Sequence, residues 1–128
     1  MIQQKAQTLF QSAAIAAATT TYSGDVIGDY LVGYIVVDVT AYAGSQDLDI
    51  IVEMHDDASD AYYELDSIAT HITGTGSYIY LVGRGSAFSG TGVTEVLSVT
   101  LPRRWRIAMV TTTADSITFS VGFVPSGR

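Results

Sequence analysis

The stretch Leu101-Pro102-Arg103-Arg104-Trp105-Arg106-Ile107-Ala108-Met109-Val110 decides the fold, together with Ser116-Ile117-Thr118-Phe119-Ser120-Val121-Gly122-Phe123-Val124 beyond a short polar break. Trp105, Ile107 and Met109 alternate with Arg104 and Arg106, and Ile117, Phe119, Val121 and Phe123 alternate with Thr118 and Ser120. Side chains of a strand point to opposite faces with period two, so both segments read as strands with one apolar and one wet face. Their proximity in sequence suggests a β-hairpin. Trp105, Ile107 and Phe119 are the expected structural core.

Working outward, turn-forming clusters recur at Ser23-Gly24-Asp25, Ala43-Gly44-Ser45-Gln46, His55-Asp56-Asp57-Ala58-Ser59-Asp60 and Thr73-Gly74-Thr75-Gly76. Strands are expected between them, at Tyr30–Tyr42, Leu48–Met54, Ala61–Ile72, Ser77–Val82 and Val93–Thr100. Residues 83–92 read as a flexible Gly and Ser rich loop. Seven or eight strands without a helical period after residue 22 predict an all-β fold: an antiparallel β-sandwich, jelly-roll-like, with an extended N-terminal arm. Residues 1–18 form the arm, mobile or strand-exchanging, and residues 19–128 a single sandwich domain.

The chain has 128 residues, enough for one well-buried core. It is 48% hydrophobic and only 15% charged, with eight Tyr and four Phe, a composition opposite to that of disordered chains. No cysteine is present to form disulfides or thiolate metal sites. Lys5 and the apolar run Ala13 to Ala18 superficially resemble a secretory signal, but the run is weak and Ala-rich, and no segment has the length of a membrane span.

Net charge is −7, and its distribution is uneven. Asp25, Asp29, Asp38, Asp47, Asp49, Glu53, Asp56, Asp57, Asp60, Glu64 and Asp66 occupy a region without Lys or Arg, and every Arg lies after residue 83. Either acidic and basic strands pair within one molecule, or the subunit is electrostatically two-sided and copies attract each other. Binding to bare nucleic acid is disfavoured in both cases.

No pattern of catalytic spacing emerges. His55 and His71 stand on strands or strand ends without a nucleophile or metal motif, so surface or edge roles are expected. Asp56, Asp57 and Asp60 could offer oxygen ligands to calcium, but the alternating ligands and closing Glu of a calcium loop are missing, and a solvated turn accounts for them. Gly74-Thr75-Gly76 and Gly83-Arg84-Gly85 open no helix and read as turns rather than phosphate cradles. The tyrosines could form a sugar-stacking platform, although strand packing explains most of them.

The order Thr19-Thr20-Thr21-Tyr22-Ser23-Gly24-Asp25-Val26-Ile27-Gly28-Asp29-Tyr30, then Val52-Glu53-Met54-His55-Asp56-Asp57, then Leu101-Pro102-Arg103-Arg104-Trp105-Arg106-Ile107 with a closing Thr-Phe-Ser-Val strand, resembles small β-sandwich structural proteins of tailed bacteriophages, in particular capsid decoration (cement) proteins. The likeness spans residues 19 to 124. Trp105-Arg106 matches the aromatic-Arg pair that starts the penultimate strand of such chains, whereas Tyr62-Tyr63 stand where a Trp follows the acidic turn. The resemblance implies a non-enzymatic virion protein without cofactor or metal. Its partners would be the major capsid protein and further copies of itself, as a homotrimer on the capsid exterior, assembled in the host cytoplasm without membrane or nucleic-acid contacts. Leu9, Phe10, Ile15, Arg103 and Arg104 are the interface candidates. A head-tail or tail component and a carbohydrate-binding sandwich module are the alternatives.

Overall fold

A computed structural model describes residues 6–30, 32–83 and 92–126. Ten strands follow in chain order: β1 (Gln7–Ile15), β2 (Thr19–Tyr22), β3 (Val26–Ile27), β4 (Val32–Tyr42), β5 (Leu48–Asp56), β6 (Ala61–Ser67), β7 (Gly76–Gly83), β8 (Glu95–Leu97), β9 (Arg104–Thr111) and β10 (Ile117–Pro125). They form two sheets packed face to face as a β-sandwich. One sheet has the order β1-β10-β4-β7-β8; the other runs β2-β9-β5-β6, with β3 pairing β9 alongside β2. Pairing is antiparallel except between β7 and β8. The described residues contain no helix long and apolar enough to cross a membrane.

Alternation sets the core. Ile35, Val37 and Val39 of β4 and Phe119, Val121 and Phe123 of β10 point inward from the first sheet, and Ile50 and Val52 of β5 with Trp105, Ile107 and Met109 of β9 meet them from the second. Trp105, Ile107 and Phe119 are fully buried. The Trp105 ring meets Phe123 edge-on across the core, centroids 5.0 Å apart at 82°. This is a favourable aromatic geometry. Gly33 makes room for that contact, since a Cβ there would stand 2.4 Å from the Phe123 ring.

The hairpin expected of β9 and β10 does not form. β9 pairs with β2, β3 and β5, whereas β10 pairs with β1 and β4, so residues 112–116 cross from one sheet to the other. Residues 43–47 make the same crossing between β4 and β5, where the sequence suggested a simple reversal. Period two specifies which side chains point inward; two strands whose apolar faces oppose each other across a core have the same alternation as two strands side by side.

Gln46, completely buried, joins these crossings. Its Oε1 accepts from the N–H groups of Asp47, Thr112 and Thr113 at 3.1, 2.9 and 2.9 Å. Its Nε2 donates to the carbonyls of Thr113 and Asp115, each at 2.8 Å. Beside it, Asp115 accepts from the Ser45 N–H at 2.9 Å.

Residues 7–15, assigned above to an arm, form edge strand β1 on β10. Leu9, Phe10 and Ile15 pack against the core, and Phe10 stacks on Phe119 with centroids 4.8 Å apart. Covering Phe119 and the rim of the core gives these residues a reason to pair that spacing alone does not reveal. β6 ends at Ser67, and the following segment returns Ile72 to a bridge with Leu48, which shortens the expected Ala61–Ile72 strand. Most of the Gly and Ser rich loop of residues 83–92, including Arg84 and Gly85, lies outside the described residues.

Two substitutions test this architecture by denaturant unfolding. Trp105→Ala is expected to cost about 3–5 kcal/mol. Trp105→Phe should cost much less than Trp105→Ala, because the buried indole N–H has no hydrogen-bond partner among the described residues. Gln46→Ala, conservative in a surface turn, should here cost about 3 kcal/mol by leaving buried backbone groups unpaired.

Candidate functional site

The inward turn of Trp105 and Ile107 forces Arg104 and Arg106 onto the outer face of the second sheet. Register then selects their neighbours. Arg106 lies opposite Glu53 and Arg104 opposite Ile27, while His55 lies opposite Tyr62 on the adjoining ladder. Tyr22, Ile27, Glu53, His55, Tyr62, Arg104 and Arg106 consequently share one surface, with Asp25 and Asp29 supplied by the segments flanking β3.

The arginines are paired within the chain. Arg106 Nε donates to Glu53 Oε1 at 2.8 Å, and its guanidinium lies between two aromatic rings, 3.8 Å from the Tyr22 centroid and 3.4 Å from that of Tyr62. Arg104 Nε donates to Asp25 Oδ2 at 2.6 Å, while the Tyr62 hydroxyl donates to Asp25 Oδ1 at 2.7 Å. Arg103 reaches Asp29 at 3.0 Å in an exposed pair, which contributes little on its own. Of the two readings of the charge division, internal pairing therefore accounts for Arg103, Arg104 and Arg106.

At the end of this face the β5–β6 turn closes over His55. Nδ1 lies 2.7 Å from Asp57 and Nε2 2.9 Å from Asp60, and the imidazole is only 3% exposed. Asp60 adopts a left-handed φ of 53°, which aims its carboxylate back at the ring. Arg104 stands 3.5 Å from Asp57, and the Tyr62 ring meets the imidazole edge-on. The Asp60 and Asp57 carboxylates raise the His55 pKa above its usual value, outweighing burial and the nearby Arg104. For Asp25, burial acts upward, but hydrogen bonds from Tyr62 and Arg104 prevail and lower its pKa. Asp56 is lowered by the Ser59 hydroxyl and the Ala58 N–H.

The three turn carboxylates thus serve His55, Ser59 and the backbone. Among the described residues no group of three or more His, Cys, Asp or Glu side chains is placed to hold a metal ion. His55 is enclosed, unlike the surface or edge position expected of it. His71 is half-exposed, its Nδ1 2.7 Å from Asp49 Oδ1. The five interface candidates do not come together: Leu9, Phe10 and Ile15 lie on the edge of the first sheet, whereas Arg103 and Arg104 belong to the second. Sequence reasoning missed Ile27 and Tyr22, which are 59% and 50% exposed. The signal was available in two large apolar residues flanking a turn. Compared with known proteins, the chain matches no family model, no curated protein and no solved structure.

The carboxylate and imidazole shifts act in opposite pH directions. Raising the His55 pKa stabilises the fold below the ordinary value of 6.5, and this gain is lost as pH rises through the higher folded value. Lowering Asp25 and Asp56 stabilises above 3.8 and is lost as pH falls through their lower folded values. Denaturation midpoints should therefore peak between about pH 4 and 6.5. In His55→Gln the decline on the alkaline side should flatten; an unchanged decline would assign it to another group.

Proposed function

We propose that this chain is a non-enzymatic virion structural protein, a capsid decoration (cement) protein that binds across joints between capsid subunits as a homotrimer. The observation that carries this reading is the outer face of the second sheet. Ile27 and Tyr22 are outward-facing beside arginines whose charge is already balanced, a combination suited to binding by burial rather than by chemistry. The resemblance of residues 19–124 to phage decoration proteins supplies the partner.

Strand nesting supports the same reading. β1 pairs with β10, β2 and β3 with β9, β4 with β7, and β5 with β6, as in a long hairpin rolled upon itself. We read this nesting as jelly-roll-like, with β8 appended, and jelly rolls recur in viral shells and in lectins. Contacts made by one subunit would be weak and multiplied by repetition over the shell. In place of an N-terminal arm, β1 provides a paired edge whose Leu9 and Phe10 are partly buried.

Light scattering is expected to give a trimer in solution, and electron microscopy of the phage encoding the chain should place it on the head exterior. A location in the tail would favour the alternative structural role. Ile27→Asp should leave the thermal transition in place while weakening head binding at least about ten-fold, as for a central interface residue. Each subunit carries a net charge of −7, so copies repel one another and added salt should strengthen self-association. Weakening by salt would instead indicate charge pairing between subunits.

A further inference from the structure

A cleft of about 240 Å³ opens where the segment leading from β6 to β7 approaches the start of β8, on elements the decoration surface does not use. Tyr80 carries the argument. Its residue is 1% exposed, and its hydroxyl has no hydrogen-bond partner among the described residues. Tyr80 nonetheless lines the cleft, in company with Tyr78, Thr94 and Glu95, so a buried side chain that carries a hydroxyl forms part of its wall. Burial, reinforced by the nearby Glu95 carboxylate, raises the Tyr80 pKa and keeps the phenol protonated.

The remaining wall is held in place by the fold. Tyr78 is fixed by donation of its hydroxyl to the Gly74 carbonyl at 2.8 Å. Thr94 Oγ1 accepts from the Ile79 N–H at 2.9 Å, and the Glu95 carboxylate accepts from the Ala69 N–H at 2.9 and 3.1 Å, leaving acceptor capacity on both. His71 is turned by its bond to Asp49, and Ile72, 1% exposed, adds an apolar wall. Among the described residues neither Lys nor Arg lines the cleft.

We propose that this cleft binds one neutral sugar ring, such as a terminal glycan residue. The volume lies below the range of about 300–1,000 Å³ for drug-sized ligands, which limits the occupant to about one ring. A pyranose has an apolar C–H face for the aromatic and Ile72 walls and hydroxyls for Tyr80, Thr94 and Glu95. Anions are disfavoured by the Glu95 carboxylate, with Asp49 behind His71.

The test is nuclear magnetic resonance titration of the full chain with methyl glycosides of glucose, galactose, mannose and N-acetylglucosamine, with choline and N-acetylneuraminic acid as charged probes. At least one neutral glycoside should give saturable shifts at residues 70–72, 78–80 and 94–95, with a Kd of about 1–10 mM for so small a ligand. Tyr80→Phe keeps the buried ring, and it should weaken binding about ten-fold with little change in the thermal transition; Glu95→Gln, on the cleft wall, provides a second variant with the same expectation. Absence of saturable shifts with every neutral glycoside up to about 50 mM would overturn the proposal. So would binding unchanged in both variants, or choline or N-acetylneuraminic acid binding more tightly than the glycosides. None of these outcomes bears on attachment to capsids.

Discussion

The sandwich depends on the two crossings that Gln46 ties together. β4–β5 and β9–β10 each pass from one sheet to the other at the same end, so four central strands owe their placement to residues 43–47 and 112–116. A crossing has no ladder of its own, and its backbone groups must find partners elsewhere or remain unpaired. One primary amide supplies both missing donors and missing acceptors, and Asp115 extends the seam to Ser45. Trp105 and Phe123 can meet across the core because these crossings hold their strands in opposite sheets.

From that placement the outer face follows with little freedom. Once Trp105 and Ile107 are inside, Arg104 and Arg106 are outside, and the register with β5 brings Glu53 to Arg106. The stacked Arg106 is worth more than an isolated surface pair, since two aromatic faces and a carboxylate confine it together. His55 plays a matching part at the turn, where one ring gathers two carboxylates and fixes the left-handed Asp60.

The inward set was legible in the sequence because burial imposes period two directly on residue type. Val37, Ile50, Ile107 and Phe119 could be read from alternation alone. Partner identity could not, since alternation is the same for strands side by side and strands face to face; this is why β9 and β10 read as a hairpin. Gln46 was hidden for a related reason. A glutamine in a Gly-Ser turn looks solvated until a second turn, distant in sequence, is laid over it. The internal ion pairs were half-legible: acidic and basic segments were visible, but only the register joins Arg104 to Asp25.

The edges of the sheets bear on how this molecule can meet another. Exposed strand edges invite main-chain pairing, and proteins blunt them with bulges, short strands and charges. β1 has two register irregularities, after Thr8 and after Phe10. The β9 flank is divided between β2 and the two-residue β3, and β6 carries Glu64 and Asp66. β8 has only three residues. Strand addition is poorly served at each of these edges. A partner is better accommodated by side chains on a sheet face, and the second sheet displays Tyr22 and Ile27 there, held by a network whose charges are already internally matched.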